Sequence, residues 1–348
     1  MKLPGISKIE NSASARIRLI SIIVVVVILL TLPMWIRVVA PGNMSYIIFI
    51  ITLMGIYITL GHMWNLLAGY SGLVSLGLQM YIGVGAFTVA AFSNYLGVPL
   101  IIALFLGGIV STIIAVGLSY LLLRMRGMYF AIATWMFAEA MVLVIVSQEF
   151  FGRGQGLFII AARALNETHK YYLSVILVIA VTFLVVLQLR SKLGLGLLAI
   201  RDNDTAAQTT GVPLFRSKLV AMMISGFVTG IVGGVYYIVF IWIQPYSAFS
   251  ITTWTVAAVF IVVIGGIGTI MGPIVGGVIY VFLSQYLSTL TWMGSLNMVI
   301  LGAIAVTVIL VAPHGIVGTT QRRFGFEIIS ARRWMWKYTD RLQDPVPD

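Results

Sequence analysis

Few side chains in this sequence could do covalent chemistry. There is no cysteine, and the three histidines, His62, His169 and His314, lie far apart. A disulfide framework, a thiolate metal site and a cysteine nucleophile are therefore excluded, and the histidine spacing makes no metal site. H-E-x-x-H and G-x-S-x-G are both absent, which leaves a hydrolase reading without a carrier. None of the six lysines follows a glycine, so there is no G-x-x-x-x-G-K-[ST] loop to hold the phosphates of ATP. No cofactor is expected. Two acidic features remain. Glu139 stands inside an apolar run, with Trp135 one turn before it. Asp202 and Asp204 flank Asn203 in a polar stretch. A carboxylate in an apolar run either serves a pathway or a partner, or fixes packing through an interhelical hydrogen bond.

The elements that hold these residues must be membrane helices. Hydrophobic residues make up 60% of the 348 and charged residues 9%, whereas soluble domains carry about a quarter charged residues. No Asp, Glu, Lys or Arg occurs from Val38 to Leu123 or from Leu219 to Gln321. Only a bilayer accommodates such stretches. Spans are expected near 19–36, 46–67, 79–95, 99–123, 128–147, 171–189, 219–242, 251–270, 273–290 and 296–312. The fold class is all-α and polytopic, with about ten spans. The first run resembles a signal peptide, but Pro41 would follow the cleavage point, so it reads as an uncleaved first helix.

Orientation follows from counting basic residues. With the N-terminus inside, the inner segments hold Lys2, Lys8, Arg16 and Arg18, then Arg124 and Arg126, then Arg190, Lys192, Arg201, Arg216 and Lys218. The tail adds Arg322, Arg323, Arg332, Arg333, Lys337 and Arg341, giving 17 of the 21 Lys and Arg inside. Basic residues collect on the cytoplasmic side, so both ends are expected there, in a bacterial or archaeal plasma membrane. The net charge of +11 thus reflects membrane orientation, and no nucleic-acid partner is implied. The chain divides into an inner N-terminal segment 1–18, a membrane domain 19–318 and an inner tail 319–348. The tail mixes its basic residues with Phe324, Phe326, Trp334, Trp336 and Tyr338, which suits a helix lying among lipid headgroups.

Two loops interrupt the spans, an outer one at 148–170 and an inner one at 190–218. In the inner loop, Thr205, Ala206, Ala207 and Gln208 permit a short helix. Asp202, Asn203 and Asp204 suit its N-terminus, and Gly211 and Pro213 would end it. A solvated linker is the plainer alternative.

This inner stretch resembles the coupling segment of the branched-chain amino-acid ABC transporter permease family. The pattern is carried by Ala199, Ile200, Arg201, Asp202, Asp204, Ala206, Ala207 and Gly211. Four more stretches resemble the family's motifs, in family order. They are G-Y-S-G-L-V-S-L-G (69–77) with G-V-G-A-F-T (83–88), R-G-M-Y-F-A-I-A-T-W-M-F-A-E (126–139), V-I-G-G-I-G-T-I-M-G-P-I-V-G (263–276) and A-P-H-G-I-V-G (312–318). Gln79 stands where many relatives have His, and His314 where many have Arg. The extra N-terminal span resembles the second, longer permease of these systems. The resemblance implies a subunit without enzymatic chemistry. Its partners would be a sister permease, two cytoplasmic ATP-binding subunits and a periplasmic substrate-binding protein. The segment Arg201 to Gly211, Asn203 included, would dock on one ATPase. The cargo implied is a branched-chain or other hydrophobic amino acid, with urea, amides and aromatic acids as variants.

Glycines offer structural and functional readings. Gly226, Gly230 and Gly234 are spaced by four, as are Gly268, Gly272 and Gly276, which lets helices pack closely. Gly69–Gly77 and Gly265–Pro273 could instead break spans beside a pathway. One such interruption falls in each group of four spans, the second to fifth and the seventh to tenth, which begin in opposite directions as an inverted repeat requires. Pathway candidates are therefore Tyr70, Ser71, Ser75 and Gln79, then Trp135 and Glu139, and finally Gly265, Gly266, Gly268, Gly272 and Pro273. An ion-coupled carrier is the second class, but one Glu and scattered His make a poor ion relay.

Overall fold

The computed structural model describes residues 6–39, 41–289, 297–312 and 314–324. The described residues are helical almost throughout. Helix α1 (Ile6–Val39) is followed by α2 (Met44–Asn65), which continues through a π-helical turn at Leu66–Tyr70. Then come α3 (Leu78–Leu96), α4 (Leu100–Leu122), α5 (Met128–Ser147) and α6 (Glu167–Arg190). The inner segment holds α7 (Lys192–Asp202) and α8 (Asp204–Thr209). Helix α9 (Leu214–Phe240) leads to the short α10 (Pro245–Ala248), a second π-helical turn at Thr252–Val256, and α11 (Ala257–Gly265). The chain closes with α12 (Gly272–Thr289), α13 (Asn297–Val311) and α14 (Gly315–Phe324).

Six helical segments among the described residues are long and apolar enough to cross a membrane, and the apolar segments Ile23–Val39 and Gly272–Ser288 are shorter. Burial sorts them into layers. In the apolar windows of α9 and of the 245–265 segment 61% of residues are buried, and for α2 56%, against 33% for α4, α5 and α6. The first three, with α3, 15 of whose 19 residues are buried, form the centre, and the others shield it. Helix α9 lies against α3 and α4, while α2 lies against α6, α11 and α12.

Glycine rows set the closeness of the centre, as their spacing predicts. A Cβ on Gly230 would strike Ser111, and one on Gly233 would strike the Ile82 backbone. One on Gly85 would run into the Gly230 carbonyl. The main chains of α3, α4 and α9 therefore nearly touch, which is how membrane helices gain dispersion contact without a hydrophobic drive.

Three features go beyond the expectations. The inner loop 190–218 is mostly helix: α7 fills a stretch whose Gly194 and Gly196 weaken helix propensity. Tertiary packing overrides that weakness, since Ser191 Oγ caps the Gly194 N–H at 3.3 Å and Leu197 and Ile200 are buried. The outer loop 148–170 is not wholly without strand. Its β1 (Leu157–Phe158) pairs antiparallel with β2 (Trp242–Ile243), so the all-α class has one small ribbon. Asn94 fastens that ribbon, donating to the Phe158 carbonyl at 2.6 Å and accepting from the Ile160 N–H at 3.1 Å. Finally, α1 begins at Ile6, well before the span expected at 19. The basic and aromatic tail beyond residue 324 lies outside the described residues.

Overpacking the centre should be costly at one glycine and harmless at another. Gly85→Val is expected to destabilise by about 1–3 kcal/mol, lowering the thermal unfolding midpoint in detergent. Gly117, which faces open space, should accept Val with an unchanged midpoint.

Candidate functional site

The polar inner segment folds for local reasons that its sequence announces. Asn203 Oδ1 accepts from the N–H groups of Thr205 and Ala206, both at 3.0 Å, and so caps α8. Gly211, at φ +85°, closes it: the Val212 N–H reaches the Ala207 carbonyl and the Gly211 N–H that of Gln208, both at 3.0 Å. This is a Schellman end, which needs the left-handed residue that glycine supplies. Lys218 Nζ bonds both carboxylate oxygens of Asp204, at 3.0 and 2.9 Å, and ties the start of α8 to the first turns of α9. Ala207 is buried, whereas Asp202, Asn203 and Ala206 are exposed. The result is a short, rigid knob with a polar outer face.

Both broken spans lie beside Arg201 of α7, the helix that leads into this knob. The first break, Gly72–Gly77, follows the π-helical turn; Gly72 takes φ +70° and the Leu73 N–H returns to the Leu67 carbonyl at 2.9 Å. Ser71 Oγ donates to the same Leu67 carbonyl at 2.6 Å. The freed backbone then finds side chains. Trp64 Nε1 donates to the Ser75 carbonyl at 3.0 Å, and Thr134 Oγ1 accepts from the Leu76 N–H at 3.0 Å. The second break, Gly266–Met271, has Gly266 and Gly268 at φ +129° and +75°. Thr269 Oγ1 bridges it, donating to the Gly266 carbonyl at 2.8 Å and accepting from the Gly272 N–H at 3.0 Å. Gly272 and Pro273 start α12, so Pro273 opens a helix where it was expected within the break.

One side chain joins the two breaks. The buried Asn65 accepts from the Gly268 N–H at 2.8 Å and donates to the Thr269 carbonyl at 2.9 Å. Arg201 reaches the same place from the inner segment: Nη1 donates to the Gly69 carbonyl at 2.9 Å, while Nε and Nη2 hold Asp202 Oδ1 at 3.1 and 3.0 Å. Gly69, Gly72 and Gly268 leave no room there. Added Cβ atoms would sit 2.8 Å from the Gly268 nitrogen, 3.3 Å from Arg201 Cα and 3.1 Å from Arg201 Nη1 respectively. The two breaks therefore share one side of the molecule.

The remaining pathway candidates divide. Gln79 is fully buried; its Oε1 accepts a short hydrogen bond from Thr255 Oγ1, and its Nε2 has no hydrogen-bond partner. Tyr70 and Ser75 are also buried, and the Tyr70 hydroxyl is likewise unpartnered. Trp135 and Glu139 do not join them. They form their own hydrogen bond, Nε1 to Oε1 at 2.9 Å, on the exposed face of α5. The sequence reading missed Asn65, Thr134 and Thr255: Thr134 sits within the 126–139 motif without standing out in it, and Asn65 and Thr255 belong to no quoted motif. Asn65 alone carried a signal of position, one turn before Gly69.

A sequence profile for the family described as "Branched-chain amino acid transport system / permease component" matches residues 46–309. The chain belongs to this family. The permease is also similar to the high-affinity branched-chain amino acid transport system permease protein LivM of Salmonella typhimurium, with 27% identity over 82% of this chain and 72% of that one. Escherichia coli K12 LivM is similar at 26% identity over the same shares. No solved structure matches. With its apolar helices, the permease is a multi-pass membrane protein and a component of a multi-part ABC transport system.

The caps of α8 can be weighed directly. Asn203→Ala should destabilise the short helix by about 1 kcal/mol. Amide exchange across 204–209 should speed up roughly five- to tenfold, while exchange in α9 stays unchanged.

Proposed function

We propose that this permease imports branched-chain or similar hydrophobic amino acids across a bacterial plasma membrane, driven by two partner ATPases. The family match over residues 46–309 carries the proposal. The sequence adds support, since it contains no phosphate-binding loop and ATP must be hydrolysed elsewhere. In this reading ten spans run with both ends inside, and a sister permease completes the transmembrane unit. A periplasmic binding protein delivers the cargo and does most of the selecting. The inner segment 190–218 is the coupling loop, the outer segment 148–170 faces the periplasm, and the tail 319–348 lies on the inner side against lipid.

The residues proposed to meet an ATPase are Arg201, Asp202, Asn203, Asp204, Ala206, Ala207 and Gly211. Capped at both ends and anchored by Lys218, α8 can take a push without unwinding. Docking in an ATPase groove lets closure of the ATPases tilt the spans and switch access.

The pathway is proposed to run past the two interruptions and Gln79, and along the outer face of α5. Glu139 argues for the latter. It is the twelfth residue of a 20-residue span and points away from the core. A carboxylate facing lipid at that depth costs about 2.5–3.5 kcal/mol. Its face is therefore better assigned to the sister permease and a hydrated passage between the two.

The decisive experiment reconstitutes the permease with its sister, ATPases and binding protein, and measures ATP-dependent uptake of labelled leucine. Asp204→Lys and Gly211→Pro are each expected to abolish uptake while the chain still inserts in the membrane. Normal uptake by both variants would remove the coupling assignment. Binding of urea alone by the cognate binding protein would replace the amino-acid cargo.

A further inference from the structure

The proposed role of the inner segment leaves open how a push at α8 reaches the spans. We propose that Arg201 is a positioning residue that transmits it. Its guanidinium joins the coupling segment to the backbone of the first break, and Asn65 joins that break to the second, so the two interrupted spans move as one unit. This rests on reading the chain as an ATP-driven permease.

The connections are short and continuous. From α8 the chain passes through Asn203, whose N–H stays on the Ala199 carbonyl at 3.0 Å, so α7 and α8 are held together at their junction. Helix α7 carries Arg201 in its last turn. The guanidinium is gripped on one side by Asp202 and spends its remaining corner on the Gly69 carbonyl at 2.9 Å. That carbonyl belongs to the π-helical turn, where the regular ladder is already distorted and an outside donor is useful. Four residues earlier on the same helix, Asn65 grips Gly268 and Thr269. The contacts at Gly72 and Gly268 pack both breaks against Arg201 itself. Movement of Arg201 is thus felt at 69, 72 and 268 together. An arginine suits the task because its planar fork can satisfy a carboxylate and a carbonyl at once.

Uptake and ATP hydrolysis measured together in the reconstituted complex test this. Arg201→Ala is expected to lower amino acid imported per ATP hydrolysed by at least roughly tenfold, the scale of one charge-assisted hydrogen bond. Arg201→Lys, which can still reach the Gly69 carbonyl, should restore part of the ratio. Asn65→Ala, with Asn65→Ser beside it as a milder variant, should lower the ratio similarly. The Arg201/Asn65 double variant should be no worse than the poorer single one, because both break the same link. An unchanged ratio in both alanine variants overturns the proposal.

A second readout uses the absence of native cysteine. Val74 and Ile267, one in each break, are 48% and 51% exposed and accept single thiol labels. Labelling rates at Val74→Cys and Ile267→Cys should shift together between nucleotide-free and vanadate-trapped complexes, and separately once Asn65→Ala is added. Separate shifts, or none, in chains carrying only the cysteine would overturn the proposal. Absence of leucine uptake by the unaltered complex would instead remove the importer reading beneath it.

Discussion

A helix interrupted within a membrane domain strands its last carbonyls and the next helix's first amides, and those that packing closes off from water need partners inside the protein. Each stranded group costs several kcal/mol. The centre of this molecule is organised around meeting that cost twice, at Gly72–Gly77 and at Gly266–Met271. Trp64, Thr134 and Thr269 take up part of the demand at each break separately. Asn65 and Arg201 take up the rest by crossing between elements. The debt of the backbone is thereby turned into connection: groups that needed partners found them on the neighbouring break and on the inner segment. The glycines around them follow, because only backbone without Cβ can come that near.

Much of this was legible in the sequence. The spans emerged because charge-free runs permit little else, and α3 to α6 fall within a few residues of expectation. The short helix α8 emerged because Asn203 and Gly211 are strong end signals with local causes. Helix α7 did not, since its stability comes from Leu197 and Ile200 packing inward, which local propensity cannot report. The ribbon did not either. Its strands lie about eighty residues apart and have two residues each, too few for a periodic pattern.

The candidate site was legible in type and hidden in arrangement. Glycine, serine and proline marked where spans would break, but nothing in their order said that the two breaks meet. That knowledge sits in Asn65, one residue from a motifless stretch, whose partners are more than 200 positions away. Glu139 shows the reverse case. It is conspicuous in the sequence, and its place on an exposed helix face separates it from the buried candidates it was grouped with.

The ribbon at the outer end has a mechanical meaning of its own. It zips the segment before α6 to the segment after α9, and Asn94 of α3 holds it in place. The ends of α3, α6 and α9 at the ribbon are thus bound to each other, and the first break opens at the opposite end of α3. In the proposed orientation the tied end faces outward, where it would serve as the fulcrum of a lever. Helix α9 has 27 residues and is about 40 Å long, so a tilt of roughly 10° about the ribbon displaces its inner end by about 7 Å. A small rotation at a fixed outer pivot becomes a stroke as wide as an amino-acid side chain on the inner side.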